Sequence, residues 1–311
     1  MKEIFYHEPI LVREIIFYLK PEPKKIYFDA TLGGGGHSEA LLKTGAKVLA
    51  WDQDAEAIFF ATARLKSFGS QFRAEQKNFN QLRTLAENAF DGILFDLGVS
   101  SYQVNTPERG FSFRFEAPLD MRMDATTGKP LWEILKSATE DEMTKWLFNY
   151  GEEPRAKAIA RAIMRQREAA HPVKTTQDLV KIVENVYRGG AKRSHHIATR
   201  TFQAFRIAIN DEITSLQQAL EEVSRILKPG GRLAVITFHS LEDRIVKRFL
   251  KEKSRSYEET PRWPNSVPNP NRIFELLTRK AILPTEDEIE KNPRARSAKL
   301  RVAEKLNLKG E

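Results

Sequence analysis

Short apolar runs alternate with amphipathic stretches over the first third of the chain. Three runs rich in aliphatic and aromatic residues, 26–30, 47–52 and 90–97, have the length of buried parallel strands, and 72–79 is a further candidate strand. Apolar residues at helical spacing lie before and between these runs, in 9–19, 54–68 and 81–87. This β-α-β-α-β-α-β order predicts a parallel sheet with right-handed crossovers. Asp54 is the predicted N-cap of the helix that follows it.

The regular alternation ends near residue 97. From 131 to 209 the pattern is helical throughout, which is too long for a crossover and indicates an inserted domain. A helix at 211–227, ended by Pro-Gly-Gly, then leads back to strand-like sequence. The resumed elements are a strand at 232–239, a helix at 240–250 and two further strands at 274–282 and 298–303. Ser240 and Asp243 have the spacing of a capping box at the start of the 240–250 helix.

The pattern therefore predicts an α/β fold with an inserted all-helical domain. We place the sheet-forming core in 1–104 and 210–311, and the helical insertion in 105–209. The carboxyl ends of neighbouring parallel strands form the usual ligand crevice of such a sheet. We therefore expect the functional residues at the carboxyl ends of the strands.

Composition narrows the class of protein. The 311 residues are 41% hydrophobic and 30% charged, which is typical of a soluble globular protein, and no apolar run reaches the ~18 residues that span a membrane. Acidic residues interrupt the N-terminal segment, so we expect no secretory signal. The absence of cysteine excludes disulfides, thiolate metal sites and cysteine nucleophiles. Six scattered histidines form no convincing metal set, adjacent His195 and His196 included, and we expect a cytoplasmic protein without a metal.

Charge favours a polyanionic partner. The net charge is +8, the pI is about 9.5, and basic residues gather in three places: one face of a helix in 155–165, an acid-free stretch at 188–210, and a short segment near the C-terminus. A solvated helix face would explain one such run, but three favour an RNA or DNA surface. The candidate contacts are Lys157, Arg161, Arg165, Lys192, Arg193, Arg200, Arg294 and Arg296.

The segment 29–38 (Asp-Ala-Thr-Leu-Gly-Gly-Gly-Gly-His-Ser) joins a predicted strand to a predicted helix. Its glycines allow positive φ and close approach to a ligand, and the helix start presents free N–H groups. The dinucleotide pattern G-x-G-x-x-G is only partly met. The pattern D-x-x-x-G-x-G is met by Asp29, Gly33 and Gly35, and it resembles the first motif of S-adenosylmethionine (SAM) methyltransferases, where the acid lies near the amino-acid end of the cofactor. A glycine turn without a ligand is the alternative.

Two further acids favour a ligand. Asp52 ends the second predicted strand at the spacing where such folds bind ribose hydroxyls. Asp96 ends the fourth strand, beside the first, and faces the same crevice unless it only caps a turn. His37, at a helix N-terminus, is expected to be neutral because the helix dipole disfavours a cation there. We expect it to contact the cofactor, and His239 is a further candidate next to the crevice.

Seven segments in this order resemble the bacterial small-subunit ribosomal RNA methyltransferase H family. Members of that family use SAM to methylate a cytidine at N4. The resemblance covers nearly the whole chain and rests on 29–38, 96–101 (Asp-Leu-Gly-Val-Ser-Ser), 109–113 (Arg-Gly-Phe-Ser-Phe), 118–124 (Pro-Leu-Asp-Met-Arg-Met-Asp), 201–206 (Thr-Phe-Gln-Ala-Phe-Arg), 238–247 and 292–297.

The resemblance implies a class I SAM-dependent methyltransferase fold, which is Rossmann-like with a mostly parallel sheet, and an inserted helical domain. It implies that Phe79 packs on the adenine and that Asp52 accepts from the ribose. It also implies a target in the decoding region of 16S ribosomal RNA. The implied cofactor contacts are Gly35, Gly36, His37, Asp52, Phe79, Asp96 and Gln103.

The chemistry of N4 methylation requires an acceptor for the amino hydrogens, because the N4 lone pair is delocalised into the ring. The usual Asp/Asn-Pro-Pro-Tyr motif of amino-methyltransferases is absent after the fourth strand. Asp96 is therefore the candidate catalytic residue, and a backbone carbonyl of 97–99 is the alternative. Phe111 and Phe113 are candidate stacking partners for a cytidine taken out of its stack.

Two other classes of function stay open on sequence. One is a non-catalytic RNA-binding or assembly factor on a methyltransferase fold, and the other is an NAD-dependent oxidoreductase. The intact glycine segment, Asp52 and Asp96 disfavour the first, and the broken dinucleotide pattern disfavours the second. The expected partner is small-subunit ribosomal RNA, within the small ribosomal subunit. The sequence leaves open whether naked RNA is a substrate and whether the chain forms a homodimer.

Overall fold

The computed structural model describes residues 9–188, 196–258 and 267–307. The chain divides into two compact units. The helical unit is Val99–Ile213, and the sheet unit combines His7–Gly98 with Thr214–Glu311, each over its described residues. The domain boundaries at 104/105 and 209/210 stay a prediction.

The sheet unit is built on one seven-stranded sheet and one two-stranded ladder. In chain order the strands are β1 Ile26–Asp29, β2 Lys47–Asp52, β3 Phe72–Gln76, β4 Phe90–Asp96, β5 Leu227–Thr237, β6 Tyr257–Glu258, β7 Val267–Pro268, β8 Phe274–Leu276 and β9 Lys299–Lys305. The large sheet has the order β3-β2-β1-β4-β5-β9-β8. Strands β1 to β5 are parallel, whereas β9 is antiparallel to both β5 and β8. The mostly parallel sheet predicted from the apolar runs is confirmed.

Twelve α-helices are present in the described chain. They are α1 Val12–Leu19, α2 Gly36–Leu42, α3 Ala55–Arg64, α4 Ser101–Asn105, α5 Leu131–Ser137, α6 Glu140–Gly151, α7 Ala156–Glu168, α8 Thr176–Val186, α9 Thr199–Ile209, α10 Glu212–Ile226, α11 Ser240–Ser254 and α12 Glu286–Lys291. Asp54 caps α3 by accepting from the backbone N–H of Glu56, as predicted. No helix within the described ranges is both long and apolar enough to cross a bilayer.

The central strands are apolar because both faces of the sheet are covered. Residues 92–95 of β4 are all buried, and so are the last three residues of β1. One face of the sheet packs on a cluster that includes Leu41, Leu94 and Val302, and the other face packs on a cluster that includes Phe28 and Phe95. The carboxyl ends of β2, β1 and β4 consequently lie side by side on a rigid base.

Some element bounds differ from the sequence prediction. The segment predicted as a helix at 81–87 is a 3₁₀ helix over Phe79–Thr84, which takes the end of the predicted third strand. Strand β5 begins at Leu227 and β8 ends at Leu276. The cap of α11 is one residue earlier than predicted. His239 and Glu242 form that capping box, because an imidazole nitrogen can accept from a backbone N–H as a hydroxyl does.

The helical unit matches the predicted all-helical pattern. The described part of 131–209 contains α5 to α9, and its one β contact is an isolated bridge between Pro118 and Thr175. Capping boxes start α6 at Thr139 and α8 at Thr175. Its own core contains buried residues from each of these helices, so the unit has the apolar interior of a compact body.

Candidate active site

Three carboxylates end three neighbouring strands of the sheet unit. Asp29 ends β1, Asp52 ends β2 and Asp96 ends β4, and β1 lies between β2 and β4. The carboxyl edge of a parallel sheet is where α/β folds bind ligands. The edge is therefore acidic, as the sequence predicted.

Asp29 is used inside the fold. Its side chain is 1% exposed, one oxygen accepts from the Ser38 hydroxyl at 2.7 Å, and the other accepts from the Thr31 N–H at 3.2 Å. Burial raises the pKa of Asp29. These bonds tie the end of β1 to α2, so the acid of the D-x-x-x-G-x-G pattern holds the glycine turn in place.

Asp52 holds the same turn from the next strand. One oxygen accepts from the Gly33 N–H at 2.8 Å, and the other accepts from the Asp54 N–H at 2.9 Å. Burial raises the pKa of Asp52 to about 6. Gly33 has φ +50°, and a β-carbon built there would meet no atom within 4 Å, so the turn faces open space. Each carboxylate oxygen keeps a lone pair for a ligand hydroxyl.

Gly35 and Gly36 have packing reasons to be glycine. Gly35 has φ +77°, and a β-carbon there would lie 3.1 Å from Leu65. A β-carbon at Gly36 would lie only 2.7 Å from the ring of Pro9. The turn is thus shaped by its neighbours, and cofactor contact by these two glycines stays a prediction.

His37 and Asp96 form a buried pair. His37 Nε2 lies 3.5 Å from Asp96 Oδ2, and the side chains are 6% and 27% exposed. Both ring nitrogens of His37 and the Oδ1 atom of Asp96 are buried without a hydrogen-bond partner in the described structure. Burial alone would lower the pKa of His37, but the carboxylates of Asp96 and Asp29 outweigh it, and the pKa is raised. The carboxylates thus move the pKa of His37 upward, which is opposite to the direction expected from the helix dipole, and a neutral His37 stays a prediction.

Thr31 is a site residue that the sequence argument missed. Its hydroxyl lies 2.6 Å from the Asp96 N–H, from which it accepts, and its own N–H donates to Asp29. It therefore joins the end of β1 to the end of β4. The signal was its place inside the Asp29-Ala-Thr segment, two residues after the strand.

Phe79 and His239 lie at the ends of other elements. Phe79 begins the 3₁₀ helix after β3, and its ring packs edge-on against Phe95 at 5.7 Å between centroids. His239 Nδ1 accepts from the Glu242 N–H at 3.4 Å, and its Nε2 lies 3.0 Å from the Glu242 carboxylate. His239 thus has a capping role in the structure, which explains its identity without a catalytic one.

Three uncharged residues predicted to belong to the site lie in the helical unit. Gln103 is buried and closes a capping box with Ser100 at the start of α4. Phe111 is 9% exposed and is part of the core of the unit, so it could stack on a base only after moving. Phe113 stacks on the His196 ring at 4.2 Å and meets Phe202 edge-on. Cofactor contact by Gln103 and base stacking by the two phenylalanines stay predictions.

The predicted basic residues are mostly on the surface. Lys157, Arg161 and Arg165 are exposed on α7, as the helical spacing indicated. Arg161 pairs with Glu140 at 2.9 Å. Arg200 and Arg296 are exposed and Arg294 is half-buried, whereas Lys192, Arg193 and His195 lie outside the described residues.

Known proteins resemble the chain over its whole length. The model of the MraW methylase family matches residues 4–306. The chain belongs to the MraW methylase family. It is 44% identical to the ribosomal RNA small subunit methyltransferase H of Carboxydothermus hydrogenoformans, over 97% of this chain and 99% of that protein. It is 45% identical to the protein of the same name from Anaeromyxobacter sp. strain K, over 98% and 100%.

Among solved structures, a methyltransferase of Streptococcus mutans in complex with SAH is 13% identical, with a TM-score of 0.46 over 96% of this chain and 99% of that one. Membership of the MraW methylase family makes the protein a SAM-dependent methyltransferase. The sheet of the unit is accordingly the class I methyltransferase sheet, as the resemblance implied.

The residues at the carboxyl edge fit SAM. The cofactor carries a sulfonium and an ammonium, and the carboxylates of Asp52 and Asp96 end two of the strands there. The buried His37 nitrogens and Asp96 Oδ1 without partners are groups that a polar ligand would satisfy. The open side of Gly33 leaves room for a ligand against the backbone.

Proposed function

We propose that this protein transfers a methyl group from SAM to N4 of a cytidine in the decoding region of 16S ribosomal RNA. Its membership of the MraW methylase family and its relatives named ribosomal RNA small subunit methyltransferase H support the substrate. The structural observation that carries the site is the His37–Asp96 pair at the carboxyl edge of the sheet, whose buried polar atoms have no hydrogen-bond partner among the residues that the structure describes.

We assign the cofactor to the turn after β1 and the ends of the next strands. Gly35, Gly36 and His37 would hold its amino-acid end, Asp52 would accept from the ribose hydroxyls, and Phe79 would pack on the adenine. Asp96 and Gln103 are further proposed contacts. When bound, SAM supplies the electrophilic methyl group.

Asp96 is the proposed catalytic residue. Its Oδ1 atom is buried and has no hydrogen-bond partner within the described ranges, so it can accept a hydrogen bond from an amino group. An acceptor at one N4 hydrogen returns electron density to the nitrogen, which is otherwise delocalised into the ring. The Thr31 hydroxyl accepts from the Asp96 N–H, and His37 Nε2 lies 3.5 Å from Oδ2, so Oδ1 is the oxygen that we assign to the substrate.

The helical unit is the proposed RNA-binding part. Its exposed Lys157, Arg161, Arg165 and Arg200 are suited to phosphate contacts. Arg294 and Arg296 of the sheet unit are proposed to add to them, and the target cytidine would leave its stack to react. We propose the assembled small ribosomal subunit in the cytoplasm as the partner. A homodimer stays a prediction, for which sedimentation of the chain at several concentrations is the measurement.

The test is methyl transfer from tritiated SAM to small subunits from a strain that lacks this enzyme, followed by nucleoside analysis. We expect label in N4-methylcytidine, and naked 16S RNA is run beside the subunits. Asp96→Asn should lose transfer and still bind SAM, whereas Asp141→Asn, on the exposed face of α6, should behave like the unaltered chain. Label in another nucleoside, or none on either substrate, would refute the proposal. Loss of SAM binding in Asp96→Asn would make Asp96 a cofactor ligand only.

A further inference from the structure

The helical unit contains a cleft of about 720 Å³. It is lined by Glu116, Ala117, Pro118, Trp132, Lys136, Lys174 and Thr175. Clefts of roughly 300–1,000 Å³ with an apolar wall and a few polar groups are typical of small-ligand sites, and this one has the size for a nucleotide. One lining residue, Pro118, begins the motif at 118–124 that carried the family resemblance.

The walls of the cleft are fixed by backbone hydrogen bonds. The Leu119 N–H donates to the Lys174 carbonyl, the Thr176 N–H donates to the Ala117 carbonyl, and the Trp132 N–H donates to the Leu119 carbonyl, each at 2.9 Å. The Thr176 hydroxyl also accepts from the Ala117 N–H at 3.2 Å. The three chain segments are thus held at a set spacing, which makes the cleft preformed.

The chemistry of the lining pairs an aromatic ring with cations. Trp132 is partly exposed, and the Lys136 ammonium lies 4.4 Å from its ring centroid. Lys136 and Lys174 are exposed and have no ion-pair partner within the described residues. Phe115, the residue before the lining residue Glu116, is 44% exposed. Aromatic rings beside unpaired cations are the usual surface for unpaired nucleotides, because bases stack on the rings and phosphates contact the cations.

We propose that this cleft binds an unpaired nucleotide of RNA. Its base stacks on Trp132, and its phosphates contact Lys136 and Lys174. The Glu116 carboxylate at the rim can accept from an exocyclic amino group, which favours a base that carries one. This inference rests on the proposed function in one respect, which is that the bound polyanion is RNA. It concerns a nucleotide other than the one that is methylated.

The test measures binding of the full chain to a fluorescent single-stranded RNA of about ten nucleotides, by anisotropy between about 50 and 200 mM salt. Trp132→Leu should weaken binding by about five- to a hundredfold, the range for loss of one base stack, and Trp132→Phe should keep most of it. Lys136→Ala with Lys174→Ala should weaken binding and lower the salt slope by about one to two.

The matched controls lie in the same unit and outside the cleft. Phe148 is 66% exposed on α6, and Lys145 is exposed on the same helix. Phe148→Ala and Lys145→Ala should bind RNA like the unaltered chain. Thermal unfolding identifies any variant that fails to fold. If Trp132→Leu fails to fold, Trp132→Phe and the double lysine variant still test the proposal.

Two outcomes of the RNA measurement overturn the cleft proposal: the cleft variants weaken RNA binding no more than the controls do, or the unaltered chain binds no RNA. Polyglutamate is the probe for an acidic peptide. If it competes with RNA, and its binding depends on the lysines but not on Trp132, the cleft is a peptide site and the proposal is wrong. The proposed function fails independently, through the methyl-transfer assay on the unaltered chain.

Discussion

Nε2 of His37 lies 3.5 Å from Oδ2 of Asp96, and the imidazole is almost fully withdrawn from solvent. The pKa of His37 is raised above 6.5 although burial opposes this, because the two nearby carboxylates favour the imidazolium. In Asp96→Asn we therefore expect the pKa of His37 to fall below 6.5, since burial then dominates. Titration of the ring nitrogens by NMR measures it.

The same pair makes stability depend on pH. The folded-state pKa of His37 is above its unfolded value, so the stabilisation by protonation is complete below about pH 6.5 and is lost as pH rises through the folded-state pKa. In denaturant unfolding, the free energy of unfolding of Asp96→Asn should not show this decrease as the pH rises. A variant with the unchanged pH profile would show that the carboxylate does not sustain the imidazolium.

Asp52 should produce a second pH effect on stability. Its folded-state pKa of about 6 exceeds the ordinary 3.8, so the folded chain retains a proton that the unfolded chain releases. The free energy of unfolding should therefore fall as the pH rises from about 4 to about 6, by at most about 3 kcal/mol. Asp52→Asn should remove this fall, and the exposed Asp141→Asn should keep it. Denaturant unfolding at several pH values is the measurement.

Cofactor affinity should follow the same titration of Asp52. A carboxylate accepts from two ribose hydroxyls, and protonation converts one of its oxygens into a donor. We expect SAM binding, measured by calorimetry, to weaken below about pH 6 in the unaltered chain. Asp52→Asn should bind more weakly at pH 8 and show no such change. An unaltered chain whose affinity is constant from pH 5 to 8 would remove Asp52 from the ribose contacts.

Gly36 should not tolerate a side chain while Pro9 is present. A β-carbon at Gly36 would lie 2.7 Å from Pro9 Cγ, so Gly36→Ala should lower the free energy of unfolding by about 1–3 kcal/mol. Pro9→Ala should relieve part of this cost, with a coupling above about 0.5 kcal/mol in a double-mutant cycle. Gly33→Ala is the control, because no atom lies near its β-carbon and its backbone strain should be independent of Pro9. Additive effects of Gly36→Ala and Pro9→Ala would contradict the contact.

Tyr187 should stabilise the helical unit through a buried carboxylate. Glu153 is fully buried, and its Oε1 atom accepts from the Tyr187 hydroxyl and from the Arg155 N–H. Tyr187→Phe should cost about 1–3 kcal/mol, because the buried carboxylate loses a donor. Tyr150→Phe, at a half-buried site in the same unit, should cost less. Chemical denaturation measures the free energy of unfolding of both variants. Equal losses would mean that the hydrogen bond between Tyr187 and Glu153 adds nothing to stability.

The sequence predicted the sheet well because its strands carry their own signal. Strand β2, for example, is apolar at 48–51 between Lys47 and Asp52, and it has the bounds that the pattern indicated. Contacts between distant segments carried no such signal. The hydrogen bonds of Asp29 with Ser38 and Thr31 can be seen only in the folded structure. The same holds for the packing of Pro9 against Gly36.

Local hydrogen bonds and contacts between distant residues also explain where the sequence predictions differ from the structure. His239 caps α11 where Ser240 was expected, since both types of side chain can accept from the first turn. The raised pKa of His37 could not be deduced from its place at a helix start, because its cause is Asp96, 59 positions later in the chain. Likewise, nothing in the sequence brings Trp132 to Lys174, whose segments meet through the Leu119 backbone.

Strand β9 has a consequence for how the protein is made. It follows every other strand in the chain, yet it lies inside the sheet, between β5 and β8. Until 299–305 has been synthesised, β5 presents a bare hydrogen-bonding edge and β8 has no neighbour. The nascent chain therefore cannot complete the sheet before β9 has been synthesised, and a chain interrupted before β9 should be a substrate for chaperones and proteases. The strands that carry the acidic edge are thus all made before the strand that completes their sheet.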